Sequence, residues 1–425
     1  MRLLHLVHQY PPDYLGGTEL YTQTLANIQV KAGHEVAVFC PAPTINGGGD
    51  LQAATEQGVR IYRVPVGPRT RTQVFRDTFH EPDLAAALRT VLGVERPDIV
   101  HIQHLMGMPL GLVDLLIEAG IPYVLTLHDY WFVCANAQLL TNTDHTICPG
   151  PDRLAVNCAR CAIARAGKGG LLWLAPALAP VLAYRNRRLR AVIARAQYVI
   201  APTDFVRRTF AALGIPDENL VIVQHGIELP PETALAAFPV STESHGLPPL
   251  RIGYIGSIGW QKGVHVLVEA VRDLPSASVS LKIYGDPSTF PAYTAKLKGL
   301  MRDSDISMAG PLPREHLWSA LAELDLVVVP SLWYETSSLV LDEAFVAGVP
   351  VVASDIGVLA EKVTDGLNGR LFPPGNAAAL GQVLREILSE PHLLHRWQNG
   401  IPPVQTIGDH VREIEALYQS TLDTV

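Results

Sequence analysis

DLVVVPSLWYETSSLVLDEAFVAGVPVVASD, residues 325–355, decides the fold. It opens on a β-branched apolar run, DLVVVPS, and closes on another, PVVASD. Two strands without apolar/polar alternation, joined through a helix, make a parallel crossover. Ser337 or Ser338 is the expected N-cap of that helix, and Gly348 marks its end. Glu335 then falls in the strand-to-helix loop, and Glu343 about one and a half turns into the helix. Buried carboxylates are costly unless something binds them. The free N–H groups of the loop and helix start offer a site for phosphate. Glu343, on the face of Leu339 and Val340, suits a hydroxyl-rich group beside that phosphate, because a carboxylate can accept two vicinal hydroxyls. On residue type alone, a capping acid and a solvent-facing helix acid fit equally well.

The same alternation runs through the chain. Strands are expected at 2–8, 35–41, 59–66, 98–104, 122–129, 197–203 and 220–227. After a Pro-, Ser- and Thr-rich linker at 228–250, a second series follows at 250–257, 279–285, 306–310, 325–331 and 350–355. DGLNG (365–369) is a double turn signal, and 408–422 reads as a terminal helix. The fold class is α/β: two Rossmann-like domains facing a central cleft, with ligands at the carboxyl ends of the strands. Residues 1–235 form the first domain, with a Cys-rich and basic insert at about 132–196. Residues 236–407 form the second, and 408–425 a helix crossing back to the first.

At 425 residues the chain exceeds one ordinary core. Apolar residues make up 48% and charged ones 17%, and the net charge is −8, which excludes a surface built to grip nucleic acid. The first residues, MRLLHLVHQYPPDY, carry no long apolar leader, and no window of about 18 residues is apolar throughout. A cytoplasmic protein is expected, so its five cysteines read as thiols or metal ligands, not disulfides.

Several residues carry candidate chemistry. Gly16 and Gly17 follow the first strand, where glycine allows unusual φ or close approach to a ligand; an ordinary Gly-Gly turn fits as well. Their spacing is not that of a dinucleotide-binding loop. His128 and Asp129 end a strand at the ligand-binding edge, where a histidine can shuttle a proton or simply hold structure. No Asp-x-Asp stands at a strand end to hold a catalytic divalent metal. Cys134, Cys148, Cys158 and Cys161 fall within 28 residues, a density that suits a structural Zn²⁺ or an iron–sulfur cluster, with unligated or redox-labile thiols as alternatives. From Arg153 to Thr203 there are nine basic residues and no acidic one, around the apolar-then-basic run at 170–196. That pattern suits anionic headgroups or a lipid-linked pyrophosphate at the inner face of a membrane, or a packed helix with solvated arginines.

YETSSLVLDE resembles the E-x7-E element of retaining GT-B glycosyltransferases, and the whole chain is similar to family 4, the glycosyl transferases group 1. The similarity continues in order through YPPDYLGGTE (10–19), LHDYW (127–131), GSIGWQKG (256–263), YGDP (284–287), ASDIGVLAEKV (354–363) and DGLNGRLF (365–372). The resemblance implies a hexosyltransferase that moves a sugar from a UDP- or GDP-sugar to a hydroxyl of a glycan or lipid-linked acceptor, in cell-surface polysaccharide or glycolipid synthesis. It implies Glu343 on the ribose, Glu335 near the transferred sugar, and the amides of Thr336, Ser337, Ser338 and Leu339 at the diphosphate. Lys262 would neutralise the leaving diphosphate without a catalytic metal. Gly285, Asp286 and Leu312 would shape the base site. Gly17 would touch the donor, and Gly16, His128 and Asp129 the acceptor side. Most relatives place an arginine where this chain has Ser257; Arg251, Lys282 and Arg314 are candidate substitutes. An epimerase, a phosphorylase, or a non-catalytic binding protein with a degenerate donor site are the alternatives.

Overall fold

The computed structural model describes residues 1–44, 49–230, 249–275, 277–301 and 305–424. Most of the expected linker, 231–248, lies outside them. The chain divides into two compact units, 1–224 with 408–425, and 225–407. Among the described residues there are fifteen α-helices and two sheets.

The first unit holds eight strands: β1 (Arg2–Leu6), β2 (Glu35–Pro43), β3 (Gln52–Glu56), β4 (Val59–Val66), β5 (Ile99–Ile102), β6 (Tyr123–Thr126), β7 (Val199–Ala201) and β8 (Leu220–Ile222). They lie in the order β3-β4-β2-β1-β5-β6-β7-β8, all parallel except β3 against β4. Leu4, Leu6, Val36, Val38, Val100 and Val124 are buried on these strands, which explains their continuous apolar runs. Strand β3 was not expected. Every residue of QAATE is exposed, so no apolar pattern announces it. Its hairpin is closed by Gln57 (φ 51°) and Gly58 (φ 87°), a two-residue turn with both φ positive. The helix Ile407–Thr424 buries His410, Ile414 and Tyr418 within this unit. Tyr418 Oη lies 2.6 Å from His101 Nδ1, and Tyr21 Oη lies 2.7 Å from His410 Nε2.

The second unit holds β9 (Leu250–Ile255), β10 (Val279–Tyr284), β11 (Ile306–Gly310), β12 (Leu326–Val329), β13 (Val351–Ser354) and β14 (Gly369–Phe372). They form a wholly parallel sheet in the order β11-β10-β9-β12-β13-β14. One core packs Leu267, Val268, Leu384 and Trp397 against one side, and another packs Leu341, Ala344 and Leu359 near Val327 and Val351. Strand β14 follows the DGLNG turn directly. Its first residue is Gly369, where a Cβ would fall 1.9 Å from Val351 O. Among the described residues no helix is long and apolar enough to cross a membrane.

Candidate functional site

In the second sheet the strand order reverses between β9 and β12. Ligands of open parallel sheets bind at the carboxyl ends of the strands beside such a reversal. The loops 256–263 and 330–338 leave the sheet there, and their backbones touch. Leu332 N donates to Gln261 O at 2.8 Å. Gly263 takes φ +68°, and a Cβ on it would fall 1.8 Å from Pro330 O, so only glycine fits. Gly285 adds the exit of β10, since its Cβ would lie 2.2 Å from Gly256 O.

This contact brings Lys262 to Glu335. Lys262 Nζ donates to both carboxylate oxygens, at 2.8 and 3.0 Å. Ser331 Oγ and Trp333 Nε1 donate to Glu335 Oε1 at 2.7 and 3.0 Å. The Lys262 ammonium sits 5.4 Å from the centre of the Trp333 ring. Glu335 is buried, and these donors offset the cost of burying its charge. They also fix the position of the Lys262 ammonium.

The helix Leu339–Val346 starts where the sequence suggests, but not in the way it suggests. Ser338 is the N-cap, yet it takes the left-handed conformation (φ 57°, ψ 64°) and its side chain makes no capping bond. Such a backbone costs a non-glycine residue roughly 1–3 kcal/mol and concentrates at ligand-binding sites. Ser337 Oγ is buried and has no hydrogen-bond partner among the described residues. A buried hydroxyl left unmatched at a helix start is what a bound anion would satisfy. Thr336 and Leu339 flank it, both half-buried.

Glu343 is also buried on this helix, and its carboxylate accepts from Arg314 Nη1. Burial pushes its pKa up, against the lowering effect of the Arg314 guanidinium. Of the three possible substitutes for the arginine expected at Ser257, two are tied elsewhere. Arg251 forks onto Asp325 at 2.5 and 3.1 Å, and Lys282 pairs with Glu323 at 2.7 Å. Arg314 alone reaches the expected site, at Glu343. Ser257 is exposed, with its carbonyl oxygen accepting from Tyr254 Oη at 2.7 Å. Asp286 is exposed and accepts from Ser288 N and Oγ at 2.8 and 2.7 Å, which holds its pKa below the usual range. Leu312 packs half-buried against the neighbouring core.

In the first unit the order reverses between β1 and β5. Gly16 caps the helix Gly17–Lys31 at φ −80°, an ordinary value. A Cβ there would lie 2.3 Å from Glu19 Oε2, the movable end of a side chain, so the backbone does not demand glycine at this position. A Cβ on Gly17 would meet nothing within 4 Å. His128 follows β6, with Nε2 2.7 Å from Gln103 Oε1 and its ring edge-on to Tyr21 at 4.7 Å. Burial, and then neighbouring histidines, push its pKa well below 6.5, which favours the neutral imidazole and makes it a weak base. Asp129 Oδ1 accepts from Trp131 N at 2.7 Å and lies 3.1 Å from His104 Nε2. Sequence reasoning missed His8, His104 and Glu19. The His8 and His104 rings lie 4.2 Å apart, and His8 Nε2 is 3.6 Å from Glu19. A signal was present: the runs LLHLVH, VHIQH and VLTLH all end on histidine, at His8, His104 and His128.

Cys158 and Cys161 lie on the helix Val156–Arg165, and Cys134 and Cys148 in the preceding loops. All four line one cavity of about 110 Å³. Among the described residues, no three His, Cys, Asp or Glu side chains already stand as a metal-ligand set.

Residues 16–226 match the family described as Glycosyl transferase 4-like domain, and 242–402 match Glycosyl transferases group 1. Among curated relatives, a glycogen synthase of Mycobacterium tuberculosis is 24% identical over 422 residues, covering 93% of this chain and 88% of that protein. Sucrose-phosphate synthase from Thermosynechococcus elongatus superposes with TM-score 0.73 at 18% identity, over 100% of this chain and 99% of that one. HepE from Anabaena, solved in complex with UDP and glucose, superposes with TM-score 0.66 at 17% identity, over 99% and 100%. The chain belongs to the group 1 glycosyl transferases, of the family 4 type, and has the GT-B fold.

Proposed function

From that membership we propose that the protein is a retaining hexosyltransferase whose donor, a nucleoside diphosphate sugar, is held by the second unit. The observation that carries this is the Lys262–Glu335 pair beside the unpartnered Ser337 hydroxyl and the uncapped start of Leu339–Val346. A diphosphate there meets an ammonium, a free hydroxyl and helix amides together. As the bond from sugar to diphosphate breaks, negative charge grows on the leaving oxygens. Lys262, held by Glu335, is placed to meet it, a stabilisation largest in the transition state. Protein charges do this work in our reading, with no catalytic metal. Glu343 takes the ribose hydroxyls, with Arg314 sharing its carboxylate. Glu335 faces the sugar as well as Lys262, and Gly285, Asp286 and Leu312 border the base.

The acceptor is a sugar hydroxyl, of a glycan or a lipid-linked glycan, and it attacks on the face the leaving group departs from. His128 of the first unit is our candidate to take up its proton, with Gly16 and Asp129 on the acceptor side and Gly17 toward the donor. Relatives include a glycogen synthase and a 2-deoxystreptamine glucosyltransferase of Streptomyces kanamyceticus, and UDP is the nucleotide in HepE, which favours UDP-sugars and polyhydroxylated acceptors. The surface around 170–184 supports a place at an anionic membrane. Trp173 is 73% exposed, and Leu171, Val181 and Tyr184 are also exposed. The basic run is not uniformly free for lipid, because Arg185 is buried and Arg188 and Arg195 pair with Asp114. Flotation with anionic liposomes tests this part; failure to float at low salt removes it.

The test of the function is nucleoside diphosphate release from UDP- and GDP-sugars with glycan acceptors, without added divalent metal, with the anomeric configuration of the product read by NMR. Retained configuration supports the proposal; inversion, or no turnover with any donor, contradicts it.

A further inference from the structure

Glycosyl transfer as described above makes no use of the cysteine lobe in the first unit. None of Cys134, Cys148, Cys158 and Cys161 is in a disulfide, and all four face the same cavity. We propose that these four side chains ligate a thiophilic metal centre, a tetrathiolate Zn²⁺ site, that organises residues 132–170 and is separate from the sugar chemistry.

Two observations besides the shared cavity point to thiolate charge there. The first is at Cys161. Its sulfur accepts from Asn136 Nδ2 at 2.8 Å, and from Asn142 N and Nδ2, both at 3.3 Å. A thiol sulfur is a weak acceptor, so three N–H donors on one sulfur suit a thiolate, as in the outer hydrogen bonds that orient metal ligands. The second is a pair of arginines. Arg185 is 1% exposed, and no described carboxylate lies within 4.0 Å of it. Its guanidinium donates to Trp131 O at 2.6 Å and stacks 4.8 Å over the Trp131 ring. Arg165 donates to Asn136 O and Oδ1 at 3.1 and 2.9 Å, in the same lobe. A buried guanidinium without a counter-charge is costly. Four thiolates around one Zn²⁺ carry two net negative charges, which the buried Arg185 and the more exposed Arg165 would partly offset.

The sulfurs line the wall of the cavity and do not already meet at a point. Each cysteine has a single side-chain torsion, so binding turns the sulfurs inward. Four Zn–S bonds form, four S–H protons leave to solvent, and no electron is transferred. The lobe then gains order from the metal, because ligation free energy is folding free energy.

Elemental analysis of the full chain, purified without chelator or added metal, is the test. About one zinc per chain is expected; iron with acid-labile sulfide instead would keep the thiolate centre and replace zinc by a cluster. Less than about a tenth of an equivalent of either overturns the proposal. The double variant Cys158→Ser/Cys161→Ser should lose the metal, and Cys40→Ala should keep it. Should the double variant fail to fold, thiol counting on the native wild type decides. Four thiols should become reactive only after a chelator is added, and full reactivity before it overturns the assignment.

Discussion

In the second unit, Glu335 is met by Lys262, Ser331 and Trp333, and Glu343 by Arg314. In the first unit, Arg185 is buried with no ion pair to a described carboxylate, and a chain of histidines is buried as well. The two regions handle buried polarity in opposite ways. The donor site brings a cation to each buried acid, Lys262 to Glu335 and Arg314 to Glu343. The first unit keeps its histidines neutral by burial, which the hydrogen bond from His5 to Gln29 only partly opposes. A site that must hold a dianion needs fixed positive charge, whereas a site that accepts a proton needs a neutral base.

The largest expected break in this contrast is acid. Burial lowers His5 and His410 from 6.5 to about 4, and pushes His101 and His128 well below 6.5. Their folded pKa values lie below the unfolded one, so the unfolded chain takes up protons first. Stability is full above pH ~6.5 and falls as pH drops toward ~4, by roughly 3 kcal/mol each for His5 and His410. Amide protection should therefore collapse in 1–224 before 249–407 as pH is lowered. Equal loss in both units would refute the contrast.

Second in size is Lys262→Ala, which removes the fixed charge. We expect kcat to fall about 10²–10³-fold, as for loss of one transition-state donor. Steady-state kinetics reads it, and unchanged turnover contradicts the assignment. His128→Ala is its counterpart in the first unit. It should lower transfer by about 10² or more while leaving nucleotide affinity, measured by calorimetry, intact. Glu343→Gln is expected to weaken nucleoside diphosphate binding about 10–100-fold, the worth of a hydrogen bond to a charged acceptor. The smallest effect sharpens the comparison by addition: Ser257→Arg should tighten donor KM by about tenfold or less.

Much of the second unit is legible in 325–355, because apolar strands and a helix stop at Gly348 leave few topologies. Lys262 and Glu335, 73 positions apart, meet only through the sheet order, which no local pattern reports; the family resemblance supplied both. Ser338 shows the limit of cap rules. Serine stands at the right position, but the chain turns through the left-handed region, so its hydroxyl does not cap. β3 was invisible because an exposed edge strand needs no apolar residues. The His8–His104 contact was written at the strand ends and went unread, because each histidine in isolation looks structural.

The most direct test of the central claim is a thermal-shift panel of nucleoside diphosphates on wild type and Lys262→Ala. A ligand that binds only the folded state raises the melting point. At least one diphosphate should raise it for wild type, and the shift should shrink strongly in the variant. No shift with any diphosphate, or equal shifts in both proteins, would contradict a donor site built on Lys262.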